Sequence, residues 1–228
     1  MNREMCYRCF WPRRLCWCPS ITPMETRTKI VLLMHPKEYK RVKTATGRFT
    51  HLCLKNSEIH MGVGFDEHRA VRALIEDPRY FPVLLYPCKN AVNISQDGLA
   101  KTFMGDRRLL VFLIDATWIL AKKIFNRSTI IQKLPRIMFV PEEKSRFVIK
   151  KQPHDWCLST IEATHELMKA LEKAGIDRYE KPEQMLSLFA KMQDYQIACK
   201  KDPTLRKSRH RVHRTAIAPF GLAQGERL

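Results

Sequence analysis

The residues of this chain that can do chemistry fall into a few groups. Asp115 ends an unbroken apolar run, Leu109–Ile114, and is followed by Ala116, Thr117 and Trp118. A carboxylate at the end of a buried strand sits where α/β sheets bind ligands, and there it can take a proton from one. It can equally cap the next helix, since Asp is among the best N-cap residues. His35 and Glu38 follow a second apolar run, Lys29–Met34. They place polar groups at another strand end, although a lone histidine is more often structural. Arg48 offers the planar fork that fits phosphate or carboxylate. Ser159 or Thr160 with Glu162 is close to a capping box, which explains these residues structurally. A capped helix N-terminus also suits a carboxylate ligand.

The second group is sulfur. Cys6, Cys9, Cys16 and Cys18 read C-x2-C-x6-C-x-C, whereas Cys53, Cys88, Cys157 and Cys199 are scattered singly. Clustered cysteines in a cytosolic chain point to metal rather than disulfides. Four thiolates match the closed tetrahedral site of structural zinc, though the second pair is tighter than the common spacing. A labile redox pair or an unmetallated arm are the alternatives. Trp11 and Trp17, with Arg8, Arg13 and Arg14, either contact RNA or pack this knuckle onto the rest of the chain.

The elements that must position these groups alternate strand and helix. Lys29–Met34, Pro82–Tyr86 and Leu109–Ile114 read as strands buried on both faces. Glu58–Phe65 reads as a short strand and turn, and Arg136–Val140 and Arg146–Ile149 as two further strands. Helices are predicted over Lys43–Leu54, Glu67–Glu76, Trp118–Asn126, Ile161–Ala174 and Glu183–Lys200, with Gly175 as a stop. Pro19–Thr28 reads as a linker and Asn90–Gly105 as a connection with a short helix. The G-x-G at Gly62 and Gly64 is too weak to define a nucleotide loop. The fold expected is α/β, a mostly parallel sheet with helices on both faces. Its expected divisions are a knuckle at 1–20, a main domain at 21–200 and a basic tail at 201–228.

Composition narrows the function. The 228 residues are 45% hydrophobic, enough for one well-filled core. Lys and Arg number 41 against 23 Asp and Glu, a net charge of +18, which calls for a polyanionic partner, nucleic acid first. The tail Arg206–Arg214, RKSRHRVHR, suits an RNA arm. No apolar stretch approaches the ~20 residues that cross a bilayer, and the N-terminus lacks an apolar signal core. A cytoplasmic location with no membrane partner is the expectation.

The tetrapeptide Asp115-Ala116-Thr117-Trp118, within LIDATWILAKKIF, resembles the signature of the DTW-domain family. Leu134–Arg136 and Leu158–Ala163 (LSTIEA) follow in the family's order, and the N-terminal cysteine cluster is similar too. Ala116 stands where glycine is commonest. The resemblance implies a tRNA-uridine aminocarboxypropyltransferase, which moves the 3-amino-3-carboxypropyl group of S-adenosylmethionine to N3 of a tRNA uridine. It implies a core related to the knotted SPOUT methyltransferases. By the same resemblance Tyr86 and Pro87, with Ser159, Thr160 and Glu162, lie beside the cofactor. His35, Glu38, Arg48 and Arg136 then serve the substrate, and Asp115 acts as base with Thr117 and Trp118 beside it. Zinc at the four cysteines would be structural. An RNA methyltransferase with the same cofactor, or a non-enzymatic RNA-binding protein, are the rival readings.

Overall fold

The computed structural model describes residues 4–41, 46–95, 104–150, 153–154 and 156–202. The chain starts as a compact knuckle with two 3-10 turns, Arg13–Leu15 and Cys18–Ser20. Then come β1 (Lys29–Met34), α1 (Pro36–Arg41), α2 (Thr46–Cys53), β2 (Ser57–Met61), α3 (Arg69–Glu76), β3 (Tyr80–Leu85) and β4 (Val92–Asn93). After them follow β5 (Arg108–Asp115), α4 (Trp118–Asn126), α5 (Thr129–Gln132), β6 (Arg136–Met138), α6 (Thr160–Lys173) and α7 (Pro182–Lys201). The six strands form one sheet in the order β2-β1-β5-β3-β6-β4, and every pairing is parallel.

The apolar runs explain the layering. Successive side chains of a strand point to opposite faces. Ile30, Leu32, Leu109, Val111 and Leu113 therefore face one core with Phe49 of α2, Met168 and Leu171 of α6 and Phe189 and Met192 of α7. Val31, Leu33, Leu110 and Phe112 face the other, with Val71 of α3, Ile124 of α4 and Ile131 of α5. Each fully buried Leu, Ile, Val or Phe contributes about 1.5–3 kcal/mol. The central strands β1 and β5 are thus clamped from both sides and hold their C-terminal ends rigidly. In register, Met34 lies beside Asp115.

Caps and ties set the edges. Gly175, at φ +66°, ends α6 in the left-handed conformation that glycine adopts without strain, and the Ile176 N–H returns to Leu171 O at 2.9 Å. Asp177 then accepts the Arg27 and Thr28 N–H groups at 3.0 and 2.7 Å. The stretch before β1, read as a linker, is therefore strapped down, with Met24 buried and bridged to Leu54. Trp11 and Trp17 pack edge-to-face with each other and with Tyr195 of α7, and Trp17 also meets Phe49. The knuckle is fastened onto the core by its tryptophans, which rules in the packing reading for both.

Several expectations are corrected. Arg146–Ile149 is not a strand, because side chains take its N–H groups. Arg146 N donates to Glu162 Oε1 (2.6 Å), Phe147 N to Ser145 Oγ (3.2 Å) and Val148 N to Gln193 Oε1 (2.8 Å). β6 stops at Met138, and Val140 N turns to Ser95 Oγ. The short strand β4 lies in the segment read as a connection, and α1 and α5 were not anticipated. The expected short helix in Asn90–Gly105, the start of the Lys43–Leu54 helix and the Arg206–Arg214 tail fall wholly or partly outside the described residues. Among the described residues no helix is long and apolar enough to cross a membrane.

Candidate functional site

The C-terminal ends of β5, β3 and β6 open into a cavity of about 960 Å³. That is the size of a small-molecule site, and it lies at the sheet edge where α/β proteins bind ligands. Leu85, Tyr86, Pro87, Met138, Phe139 and Phe147 give it apolar walls, and Asp115–Ile119 cross it. Polar groups are few: Glu38, Thr46, Asp115, Thr117, Lys150, His154, Ser159 and Thr160.

Asp115 is the centre of this set. It is the last residue of β5 and only 6% exposed. Thr117, not Asp115, occupies the N-cap of α4, so the carboxylate is free of capping duty. Its Oδ1 accepts the Thr160 hydroxyl at 2.6 Å, while its buried Oδ2 has no partner among the described residues. Burial pushes the carboxyl up to about 6. Glu38 adds to the rise, and the Thr160 hydrogen bond with the charges of Lys150 and Arg48 opposes it. A buried carboxylate with one unpaired oxygen, more basic than usual yet ionised at neutral pH, is equipped to accept a proton. Gly47 of α2 makes room for it, since a Cβ there would clash with Oδ2.

The sequence-predicted residues divide by position. Asp115, Thr117, Trp118, Tyr86, Pro87, Ser159, Thr160 and Glu38 all line the cavity. Trp118 begins α4 and is 45% exposed. Tyr86 stacks on Phe125 at 4.5 Å between centroids, 10° from parallel. Arg136 lies behind that stack, 5.1 Å from the Phe125 centroid, with its donors on Gln132 O and Cys88 Sγ. It supports the Tyr86 wall rather than lining it. Glu162 is occupied structurally: it accepts Ser159 N and Oγ, Arg146 N and Ser145 Oγ, completing the capping box of α6. That box fixes the N-terminus of α6 and so aims Thr160 at Asp115.

His35 and Arg48 sit behind the carboxylate. His35 N donates to the Asp115 carbonyl at 3.1 Å, and its Nδ1 accepts Lys37 N at 3.1 Å, capping α1. Burial lowers its pKa, so the ring is neutral at pH 7. Arg48 is 5% exposed and lies between two aromatic rings, 4.4 Å from the Phe10 centroid and 5.0 Å from that of Tyr39. Its Nη2 donates to Tyr39 O at 2.6 Å. Phe10, at φ +58°, belongs to the knuckle, so the cysteine cluster reaches the site through this cation–π contact. Sequence reasoning missed Gly47, Lys150, His154 and Trp156 as parts of the site. Only Gly47 carried a signal, a glycine inside a helical pattern.

The four cysteine Sγ atoms lie within 4.8 Å of one another, with Cys6–Cys18 and Cys9–Cys16 both at 3.7 Å. Tetrahedral zinc–thiolate bonds of ~2.3 Å put sulfurs ~3.8 Å apart, so the donor set fits such a group. Burial raises the pKa of Cys9 and Cys18, and the neighbouring sulfurs add to the rise. A bound cation reverses that cost by deprotonating the thiols. These cysteines can hold a metal ion.

Comparison with known proteins agrees with this geometry. A tRNA-uridine aminocarboxypropyltransferase 2 of Drosophila melanogaster is 30% identical over 179 residues, 75% of this chain and 68% of that protein. The Mus musculus protein of the same name is 29% identical over 211 residues, 90% and 70% of the two chains. The Arabidopsis thaliana tRNA-uridine aminocarboxypropyltransferase A is 26% identical over 236 residues, 91% and 88% of the two chains. No solved structure matches. The DTW domain profile matches residues 3–197, from the cysteine knuckle through most of α7, and the chain belongs to the DTW domain family.

Proposed function

We propose that this protein is a tRNA-uridine aminocarboxypropyltransferase that uses S-adenosylmethionine. The observation that carries this reading is the placing of the motif residues Asp115, Thr117 and Trp118 in one cavity, with a buried carboxylate oxygen left unpaired. The names of the relatives support the reaction class and tRNA as substrate. The net charge of +18 supports a polyanionic substrate.

S-adenosylmethionine supplies a sulfonium-activated γ-carbon and leaves as methylthioadenosine. The residues fit it by kind: apolar walls at Leu85, Tyr86, Pro87 and Met138 for the adenosine, and Lys150 for the carboxylate. Asp115 takes the N3 proton of the uracil as the new bond forms, because the protonated nitrogen is a poor nucleophile. Thr160 holds Oδ1 and fixes the carboxylate's direction. Trp118 offers the uracil an indole face beside the carboxylate. Holding both reactants in line supplies much of the remaining acceleration. A uridine of folded tRNA must be splayed out to enter, at a cost of roughly a few kcal/mol. Zinc at Cys6, Cys9, Cys16 and Cys18 holds the knuckle against Arg48 and takes no part in the transfer.

The test is product analysis. Purified protein is incubated with S-adenosylmethionine and unmodified bulk tRNA, and products are identified by mass spectrometry. Methylthioadenosine with an aminocarboxypropylated uridine is expected, and Asp115→Ala should abolish both. S-adenosylhomocysteine would instead mean methyl transfer and refute the reading.

A further inference from the structure

The four tryptophans divide by exposure. Trp11 is 2% exposed, and Trp17 packs with it against Tyr195. Trp118 and Trp156 are 45% and 54% exposed, and both line the Asp115 cavity. A tryptophan left half in water forfeits much of the area it could bury, and an apolar patch of this kind marks a binding surface. The two reach the cavity along separate routes. Trp118 stands three residues after Asp115. Trp156 stands four residues before Thr160 and next to Cys157, whose N–H donates to His154 O at 2.9 Å. The Thr160–Asp115 hydrogen bond joins the two segments at the cavity floor. Both indoles therefore border the space above one carboxylate. The role of Trp118 follows from the proposed reaction, whereas Trp156 has none in it.

The surroundings define the chemistry of the occupant. Lys150 lines the same cavity, and Lys122 and Lys123 are exposed on α4 one turn beyond Trp118. Exposed rings beside ammonium groups, on a chain of net charge +18, complement a strand that offers base faces and phosphates together. A duplex hides its base faces, but an unpaired strand presents them. We propose that the mouth of the Asp115 cavity is a docking surface for unpaired RNA nucleotides, with Trp156 stacking a base that neighbours the target uridine. This deepens the proposed function, and it rests on that reading only in taking RNA as the polymer that enters. It makes the local single-stranded context of the uridine a determinant of substrate choice.

The experiment measures binding of the full-length protein to fluorescent oligouridylate and to a short blunt RNA duplex by anisotropy. Trp156→Ala is compared with Trp156→Phe, and the thermal midpoint of each variant checks folding. Stacking of one base is expected to make Trp156→Ala about tenfold weaker on oligouridylate, with Trp156→Phe close to wild type and duplex binding unchanged. Equal losses on both RNAs, or no loss on either, would overturn the assignment. So would weaker S-adenosylmethionine binding in equilibrium dialysis with oligouridylate binding intact, which would put Trp156 on the cofactor. A changed oligomeric state with unchanged oligouridylate binding would assign the patch to a second copy and also overturn it. The product analysis reports separately on the transfer reaction, so either conclusion can fail while the other stands.

Discussion

Asp115→Asn should make the protein more stable and far less active, with a pH dependence that identifies the cause. Asn is nearly isosteric and keeps an oxygen for the Thr160 hydroxyl, so the fold is undisturbed. In the wild type the carboxyl rises from 3.8 to about 6, chiefly by burial. Its folded pKa lies above the unfolded one, so the stability linked to its protonation is present below about pH 4. That stability is lost as pH rises through about 6. The whole rise is worth about 3 kcal/mol, a cost the neutral amide escapes at neutral pH. The protonated acid and the amide both leave one polar group unpaired, so that term nearly cancels. The expected gain is therefore about 2–3 kcal/mol at pH 8, falling to about 1 kcal/mol at pH 4.5. For a chain of this length the gain at pH 8 corresponds to about 4–12 °C in melting temperature. Urea denaturation at both pH values measures the difference. Transfer should fall by about 10²–10⁴ through loss of the base. A variant less stable than wild type at pH 8, or one whose gain is the same at both pH values, would refute the account of Asp115 as a buried, functionally retained charge.

Other perturbations test its neighbours. Thr160→Val removes the hydrogen bond that lowers the Asp115 pKa, so the acid limb of the kcat/KM–pH profile should move to higher pH; an unmoved limb would dissociate Thr160 from the base. Gly47→Ala drives a methyl group into Asp115 Oδ2 and should cost about 1–3 kcal/mol in urea denaturation, with transfer lost. Glu162→Ala strands the buried N–H of Ser159, frees that of Arg146 and should cost about 1–3 kcal/mol, lowering transfer by releasing the start of α6. Cys9→Ser should reduce the metal content measured by elemental analysis from about one ion per chain. It should also lower the melting temperature, because a segment with so little core of its own depends on its ion.

The chemistry-bearing residues were legible because their neighbours are so plain. The apolar runs of β1 and β5 leave no choice but a strand covered on both faces, and each ends at a polar residue, His35 or Asp115. The cysteine spacing alone announced a metal-type cluster, since four sulfurs in 13 positions have few other uses. Local propensity misled where tertiary partners took over the backbone: Glu162 and Gln193 hold Arg146 and Val148 out of any sheet. A strand needs a neighbouring strand with free donors and acceptors, and no sequence pattern shows which side chain arrives first.

By itself the sequence determined the parallel α/β architecture, the carboxylate at a strand end, the sulfur cluster and a net charge of +18 that suits a polyanion. Each follows from short-range pattern or from total charge. The tertiary structure decided what that carboxylate is. It set Thr160 against Oδ1 across a sequence separation of 45, gave Oδ2 the space left by Gly47, and raised the pKa by burial. It also tied Glu162, already legible as a cap, to Ser145 and Arg146, placed Arg136 behind a stacked wall, and brought Trp156 to the rim. Burial and long-range contact set these roles, and both depend on which distant segments the folded core brings together.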